Sequence, residues 1–253
     1  MVPEALIPGS SKNEEMHRRE ICTAGRWIHE RHFAPATDGN LSVRLDASRV
    51  LTTPTCVSKG MMKPDDLVVT DMQGSRVSGT RSPSTELAMH LLIYRLRRDV
   101  CAICHAHPPI ATGFAAAGLP LDKPILSEAV FSLGRVPLAP YGTPGTRELC
   151  DSIEPLLRDH DAILLANHGV VTYGPDLLTA FFRMETVEHF AQVSLVTRLL
   201  GKQAVISAED VEKLLAARAR HRSAPTKSSA GTASNAGLDP NKEIHASKRG
   251  RRS

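Results

Sequence analysis

The sequence predicts one α/β domain, a central β-sheet flanked by α-helices. Three observations carry that expectation. Short runs of β-type residues alternate with longer stretches of helical periodicity between about residues 14 and 220. Gly, Asn, Pro and His punctuate the ends of those runs. Apolar residues make up 42% and charged residues 23% of 253, enough for the core of an ordinary soluble domain.

The elements follow in order. Residues 1–13 are rich in Pro, Gly and Ser and are expected to be flexible. Glu14 to Arg31 carries Ile21, Ala24 and Ile28 at helical spacing. LSVRL (41–45), RVLTT (49–53) and DLVVTD (66–71) read as strands, with turns at Gly39-Asn40 and Gly74-Ser75. Ser84 reads as the N-cap of a helix running through residue 98. VCAICHAH (100–107) is a short strand with a polar end, and Pro108-Pro109 opens another helix. Residues 144–158 read as helical. AILLAN (162–167) is a buried strand stopped by His168-Gly169, and VVTYG (170–174) follows. Asp176 to Leu200 forms a long helix, and Ser207 starts the last one. The domain is therefore placed at 14–220. Residues 221–253 hold too little apolar surface to offset ordering entropy and are expected to form a disordered tail.

The net charge of +4 belongs to that tail. It holds seven basic and two acidic residues, which leaves the remainder near neutral. A nucleic-acid role for the folded part is not suggested. No apolar run approaches the roughly 20 residues needed to cross a bilayer, so no membrane partner is expected. The N-terminus lacks a basic stretch followed by an apolar one, which points to the cytoplasm. Five cysteines, an odd count, fit free thiols in a reducing compartment.

The candidate chemistry centres on three histidines. His105 and His107 flank Ala106 where a strand ends, and period-two geometry turns both to one face. His168 also ends an apolar strand. Should the two strands neighbour each other, three imidazoles meet, and three protein ligands leave an open position for catalysis. Such ligands suit zinc, though manganese or cobalt remain open. Cys101, Cys104 and His105 also match the C-x-x-C-H haem signature, but haem attachment goes with export, and strand alternation makes these cysteines core filling. His17, His29, His32, His160 and His221 read as surface residues, and His90 and His189 lie on helices.

Ser84 and Thr85 offer hydroxyls at a helix start, where free backbone N–H groups favour an anion. Glu86 reads either as a residue complementing the helix dipole or, near a metal, as a general base. Asn40 is a turn residue that can donate an amide hydrogen bond to a ligand. Thr55 adds a hydroxyl, and Lys59 is either solvated or part of an anion site.

Taken in order, GNLSVR (39–44), TPTCVSKG (53–60), SPSTELAMH (82–90), CHAHP (104–108), APYGTPGTREL (139–149) and LLANHGVVTYG (164–174) resemble the class II aldolase/adducin family, typified by L-fuculose-1-phosphate aldolase. The resemblance covers about residues 14–215. It implies a mostly antiparallel central sheet between helices and a homo-oligomer, a C4 tetramer with active sites at subunit interfaces. It implies zinc on His105, His107 and His168, with Glu86 as proton carrier. Asn40, Thr55, Cys56, Ser84 and Thr85 match the phosphate-binding positions. Two departures stand out. Cys56 replaces the glycine usual in the aldolases, and Glu128 lies near the point where the typical enzyme has a catalytic tyrosine; it is either an acid/base or structural. The implied activity is zinc-dependent aldol cleavage of a small carbonyl substrate, a ketose or its phosphate. Decarboxylases, dehydratases and epimerases share the fold, and adducin heads use it without a metal. Glu86 argues against the epimerase, which has Asp there.

Overall fold

The computed structural model describes residues 12–223, apart from the side chains of 221–223. The expectations for residues 1–11 and 224–253 lie outside the described residues. Within them the chain forms one mixed sheet with helices on both faces.

Helix α1 (Glu14–Glu30) starts at Asn13, whose side chain accepts from the Met16 N–H, and Glu14 and Glu15 complement its dipole. It buries Ile21, Ala24 and Ile28, the positions predicted to face the core. Strands β1 (Asn40–Arg44), β2 (Arg49–Thr52), β3 (Val68–Asp71) and β4 (Arg76–Ser78) follow. Helix α2 (Leu87–Leu96) leads into β5 (Ala102–Ala106) and α3 (Pro109–Ala116). Helix α4 (Ser127–Ser132), β6 (Leu138–Ala139) and α5 (Arg147–Ile153) come next. Strands β7 (Ala162–Leu165) and β8 (Gly169–Gly174) form a hairpin, and α6 (Leu177–Leu199) and α7 (Ala208–Ser223) close the described chain.

The strand order is β4-β3-β2-β1-β5-β8-β7-β6. Every pairing is antiparallel except β6 with β7, so the sheet is mostly antiparallel, as expected. Strand alternation sorts the side chains. Leu41, Val43, Ala102, Cys104 and Ala106 join α1, α3 and α6 in one core. Ile103, Ile163, Val171 and Tyr173 join α2 and α5 in the other. Each fully buried Leu or Ile contributes about 1.5–3 kcal/mol, so two dense layers suffice to hold both faces. All five cysteines are free. Among the described residues no helix is long and apolar enough to cross a membrane.

Several expectations are corrected. The helix expected from Ser84 begins at Leu87, because Ser84 Oγ takes the Glu86 N–H in a local turn instead. The stretch 144–158 is only partly helical; α5 stops at Ile153 and a 3-10 turn holds Pro155. Strand β4, helix α4 and strand β6 were not foreseen; each is six residues or fewer, too short for periodicity to register. His17 is buried rather than superficial.

Candidate metal centre and active site

Strand β5 delivers His105 to the side of the sheet covered by α2. His105 is fully buried, paired in register with Asn40 on one side and Val171 on the other. His107 lies two residues on, past the strand end. The convergence expected from the sequence was conditional on the strand preceding His168 lying beside β5. The actual neighbour of β5 is β8, and the tight β7–β8 turn swings His168 back over the end of β5. Asn167 adopts φ +55 in that turn, a left-handed conformation that Asn tolerates better than most residues. Gly169 follows because nothing larger fits: a Cβ there lies 2.4 Å from His107 Cδ2 and 2.7 Å from the Ala106 carbonyl oxygen.

The three imidazoles converge. One ligand atom from each lies within 4.8 Å of the others, and ring centroids are 4.8–5.0 Å apart. Glu86 reaches into the same space. Its Oε2 is 3.1 Å from His105 Nε2, and its Oε1 is 3.3 Å from His168 Nε2. Asn40 Nδ2 donates to Glu86 Oε2 at 2.8 Å. His105 Nδ1 donates to the Val170 carbonyl at 2.9 Å, and His107 Nδ1 faces Asp38 Oδ2 at 3.3 Å. Those outer partners fix the tautomers and turn both Nε2 atoms inward.

The donor set suits a cation. With both Nδ1 atoms protonated, the Nε2 atoms of His105 and His107 present lone pairs to each other across 3.2 Å. Glu86 Oε1 is buried without a hydrogen-bond donor. A shared cation relieves this crowding of acceptors, so the residues fit a divalent metal. The electrostatics agree. Burial disfavours the Glu86 carboxylate, but His105, His168 and Asn40 outweigh it and hold the acid well below its usual range. Burial likewise opposes protonation of His105, and Glu86 overrides it and raises that ring. Burial and the neighbouring His105 push His107 down to about 4 and His168 to about 3.

The other predicted residues fall into groups. Asn40 donates one amide N–H to Glu86, and its Oδ1 is buried without a hydrogen-bond partner. Thr55, Cys56, Ser84 and Thr85 lie on two loops zipped together, by Thr55 N–H to the Ser82 carbonyl and Ser84 N–H to the Thr53 carbonyl, each 3.1 Å. Cys56 is exposed at φ +57, a conformation suited to glycine. Glu128 is exposed in the first turn of α4 and makes no hydrogen bond or ion pair to the histidines. Lys59 is neither solvated nor open to an anion. It is buried, donates to the carbonyls of Thr37 and Val57, and burial lowers it to about 8. Sequence reasoning missed Asp38 and Gly169. Asp38 meets His107 across 69 positions, and no local signal announces that contact.

The profile of the Class II Aldolase and Adducin N-terminal domain matches residues 19–195. The chain belongs to the class II aldolase and adducin family. It is 33% identical over 202 residues to a 5-deoxy-D-ribulose 1-phosphate aldolase of Bacillus thuringiensis, covering 79% of this chain and 94% of that one. It is also 33% identical to a 3-oxo-tetronate 4-phosphate decarboxylase of Pectobacterium atrosepticum, over 81% of this chain and 95% of the other. A solved L-fuculose 1-phosphate aldolase shares the class II aldolase fold with a TM-score of 0.74 at 33% identity, covering 79% of this chain and 94% of its own. Two cavities, of about 640 Å3 beside α1 and about 290 Å3 between α3 and α6, are lined by none of the three histidines.

Proposed function

We propose that this family member is a zinc-dependent aldolase that cleaves a small ketose phosphate. The observation that supports it most is the convergence of three imidazoles on one another, with the buried Glu86 carboxylate against two of them, His105 and His168. His105, His107 and His168 would hold the ion. A divalent metal there supplies Lewis-acid polarisation of a substrate carbonyl and stabilises the negative charge that develops beside it.

The rest is work for the chain's own groups. Asp38 and the Val170 carbonyl keep His107 and His105 turned inward. Asn40 holds Glu86 over the site. In cleavage, the hydroxyl oxygen on the carbon that becomes the aldehyde gives up its proton to a base and forms the new C=O bond as the adjoining C–C bond breaks. The electron pair of the breaking C–C bond moves to the carbon beside the carbonyl, and that carbon takes a proton through Glu86. In the reverse direction Glu86 removes the same proton. Its lowered pKa belongs to its pairing with His105, His168 and Asn40, which favour the ionised carboxylate.

Thr55, Cys56, Ser84 and Thr85, with backbone N–H groups of the zipped loops, form the anion end of the site. Glu128 stands on the outside of α4, where it can serve the hydroxyl proton of a neighbouring copy in a C4 tetramer. A second reading is decarboxylation of an oxo-acid phosphate. Cys56 in a glycine-suited conformation favours it, since a side chain there changes how closely backbone approaches an anion. The proton handling by Glu86 is the same, because loss of CO2 leaves the electron pair on the equivalent carbon. A non-catalytic adducin-like role is disfavoured by the intact triad and acid.

A coupled assay for dihydroxyacetone phosphate release from ketose 1-phosphates, with zinc added, tests the proposal. Release that Glu86→Ala and His107→Ala both abolish supports it. CO2 from 3-oxo-acid phosphates without such release moves the assignment to the decarboxylase, and neither product from zinc-loaded protein overturns both.

A further inference from the structure

Two loops surround the histidines, and one side chain joins them. Residues 33–39 lead from α1 to β1 and bring Asp38 to 3.3 Å from His107 Nδ1. Residues 53–60 leave β2 and carry Thr55 and Cys56 on the zipped loop. Lys59 stands in the second loop and is fully buried. Its ammonium donates to the Val57 carbonyl at 2.6 Å and to the Thr37 carbonyl at 2.9 Å. One acceptor is two residues back in its own turn. The other is 22 positions away, next to Asp38. Burying an ammonium is costly, and a methionine fills much the same length without that cost. What the lysine adds is the pair of bonds.

The two accepting carbonyls share a second property. Each belongs to the residue directly after a non-glycine residue in the left-handed region. Ala36, at φ +48, precedes Thr37, and Cys56, at φ +57, precedes Val57. Only four non-glycine residues among those described have positive φ, and these are two of the four. A Cβ disfavours that conformation, which persists where surrounding contacts over-determine it. The ammonium supplies such a contact at both turns. Helix α1 supplies its anchorage. A Cβ on Gly25 would lie 2.8 Å from the Lys59 carbonyl oxygen, and one on Gly60 would lie 2.4 Å from His29 Cδ2. At the other end of the first loop, a Cβ on Gly39 would lie 2.9 Å from the His105 carbonyl oxygen, so the chain beside Asp38 is pressed onto β5.

We propose that Lys59 is a positioning residue that sets the metal centre and the anion end of the site against each other. Its ammonium holds the turn at 36–38, which orients His107 through Asp38, and the turn at 56–57, which presents the anion-binding groups. The inference rests on the reading of the histidines as metal ligands and of the zipped loops as the anion end. Loss of the ammonium frees two strained turns at once, so affinity for metal and for anion falls together. Asp38 and Thr55 each serve one end alone.

The test uses the full chain, well below its melting temperature. Zinc affinity is read by competition with a chelator. Inorganic phosphate is titrated by calorimetry into metal-free protein, where no ion can take it. Lys59→Met should weaken zinc on the order of tenfold, as disturbing the outer partner of a ligand does, and phosphate by a comparable factor. Asp38→Ala should weaken zinc alone, and Thr55→Ala phosphate alone. Ile153→Val, in the core beside α5, lowers stability and should move neither affinity, which separates positioning from general loosening. Ala36→Gly accepts the left-handed turn without penalty. Added to Lys59→Met, it should restore most of the zinc affinity and none of the phosphate affinity. A Lys59→Met variant that binds both as the wild type does, or loses only one, would overturn the proposal, as would no recovery with Ala36→Gly. If Lys59→Met does not fold, carbonyl 13C shifts of the wild type decide. Zinc alone should move the Val57 signal and phosphate alone that of Thr37, and the absence of either response overturns the proposal. A wild type that binds no zinc, or no phosphate, refutes the functional reading of that end, and the proposal falls with it.

Discussion

Gly169→Ala is the sharpest perturbation the site offers. Gly169 is not among the glycines at positive φ, so the substitution strains no backbone preference and acts through space alone. The new methyl would lie 2.4 Å from His107 Cδ2 and 2.7 Å from the Ala106 carbonyl oxygen. Carbon atoms pack at about 3.5–4.0 Å, so the ring or the hairpin must retreat by about 1 Å. Overpacking of this kind costs about 1–3 kcal/mol of stability. The same displacement spoils a ligand set that tolerates errors of only about 0.2 Å. Disturbing the support of a metal ligand weakens binding by about 10–100-fold. The assay is competition for zinc against a chromogenic chelator, with a thermal melt beside it. Gly113→Ala is the control, because a Cβ there meets nothing within 4 Å; on a helix it should raise stability by about 1 kcal/mol. Wild-type zinc affinity and melting temperature in Gly169→Ala would refute the reasoning.

Glu86→Gln keeps the side-chain shape and removes the proposed proton carrier, so kcat should fall by about 10²–10⁴ while the zinc content measured by mass spectrometry holds. Stability should also depend on acidity through His90. Burial holds its folded value near 3 against 6.5 when unfolded. The unfolded chain therefore takes up the proton first, and stability falls as pH drops from about 6.5 toward 3; a melting temperature that rises over that window contradicts the sign. Asp161 gathers Arg97, Arg183 and Arg218 at 2.8–3.1 Å and ties α7 to the body of the domain. Asp161→Asn should cost about 3–5 kcal/mol in urea unfolding and expose α7 to proteolysis, and an unchanged midpoint argues against that latch.

The layered fold was legible because strand and helix periods differ, and long elements such as α1 and α6 show their period many times over. The triad was legible because His105 and His107 share a strand face and His168 ends an apolar run. What the sequence left open is set by long-range packing. Which strand lies beside β5 decides how His168 arrives, and it is β8 rather than β7. Lys59 looks like a surface cation until Thr37 and Val57 offer carbonyls in the interior. Ser42, His90 and Tyr94 read singly as unremarkable polar residues; only the facing of β1 against α2 turns them into a buried seam. The left-handed φ of Cys56 is equally invisible in one sequence, since most residues avoid it and a few are held there by their loop.

The central claim is that His105, His107 and His168 hold one divalent ion. Titrating metal-free protein with zinc, and counting bound metal after removal of excess, tests it directly. One ion per chain in the wild type, and none in His107→Ala at the same zinc concentration, is the predicted result. A wild-type chain that binds no zinc, manganese or cobalt, or a His107→Ala variant that binds as the wild type does, would contradict it.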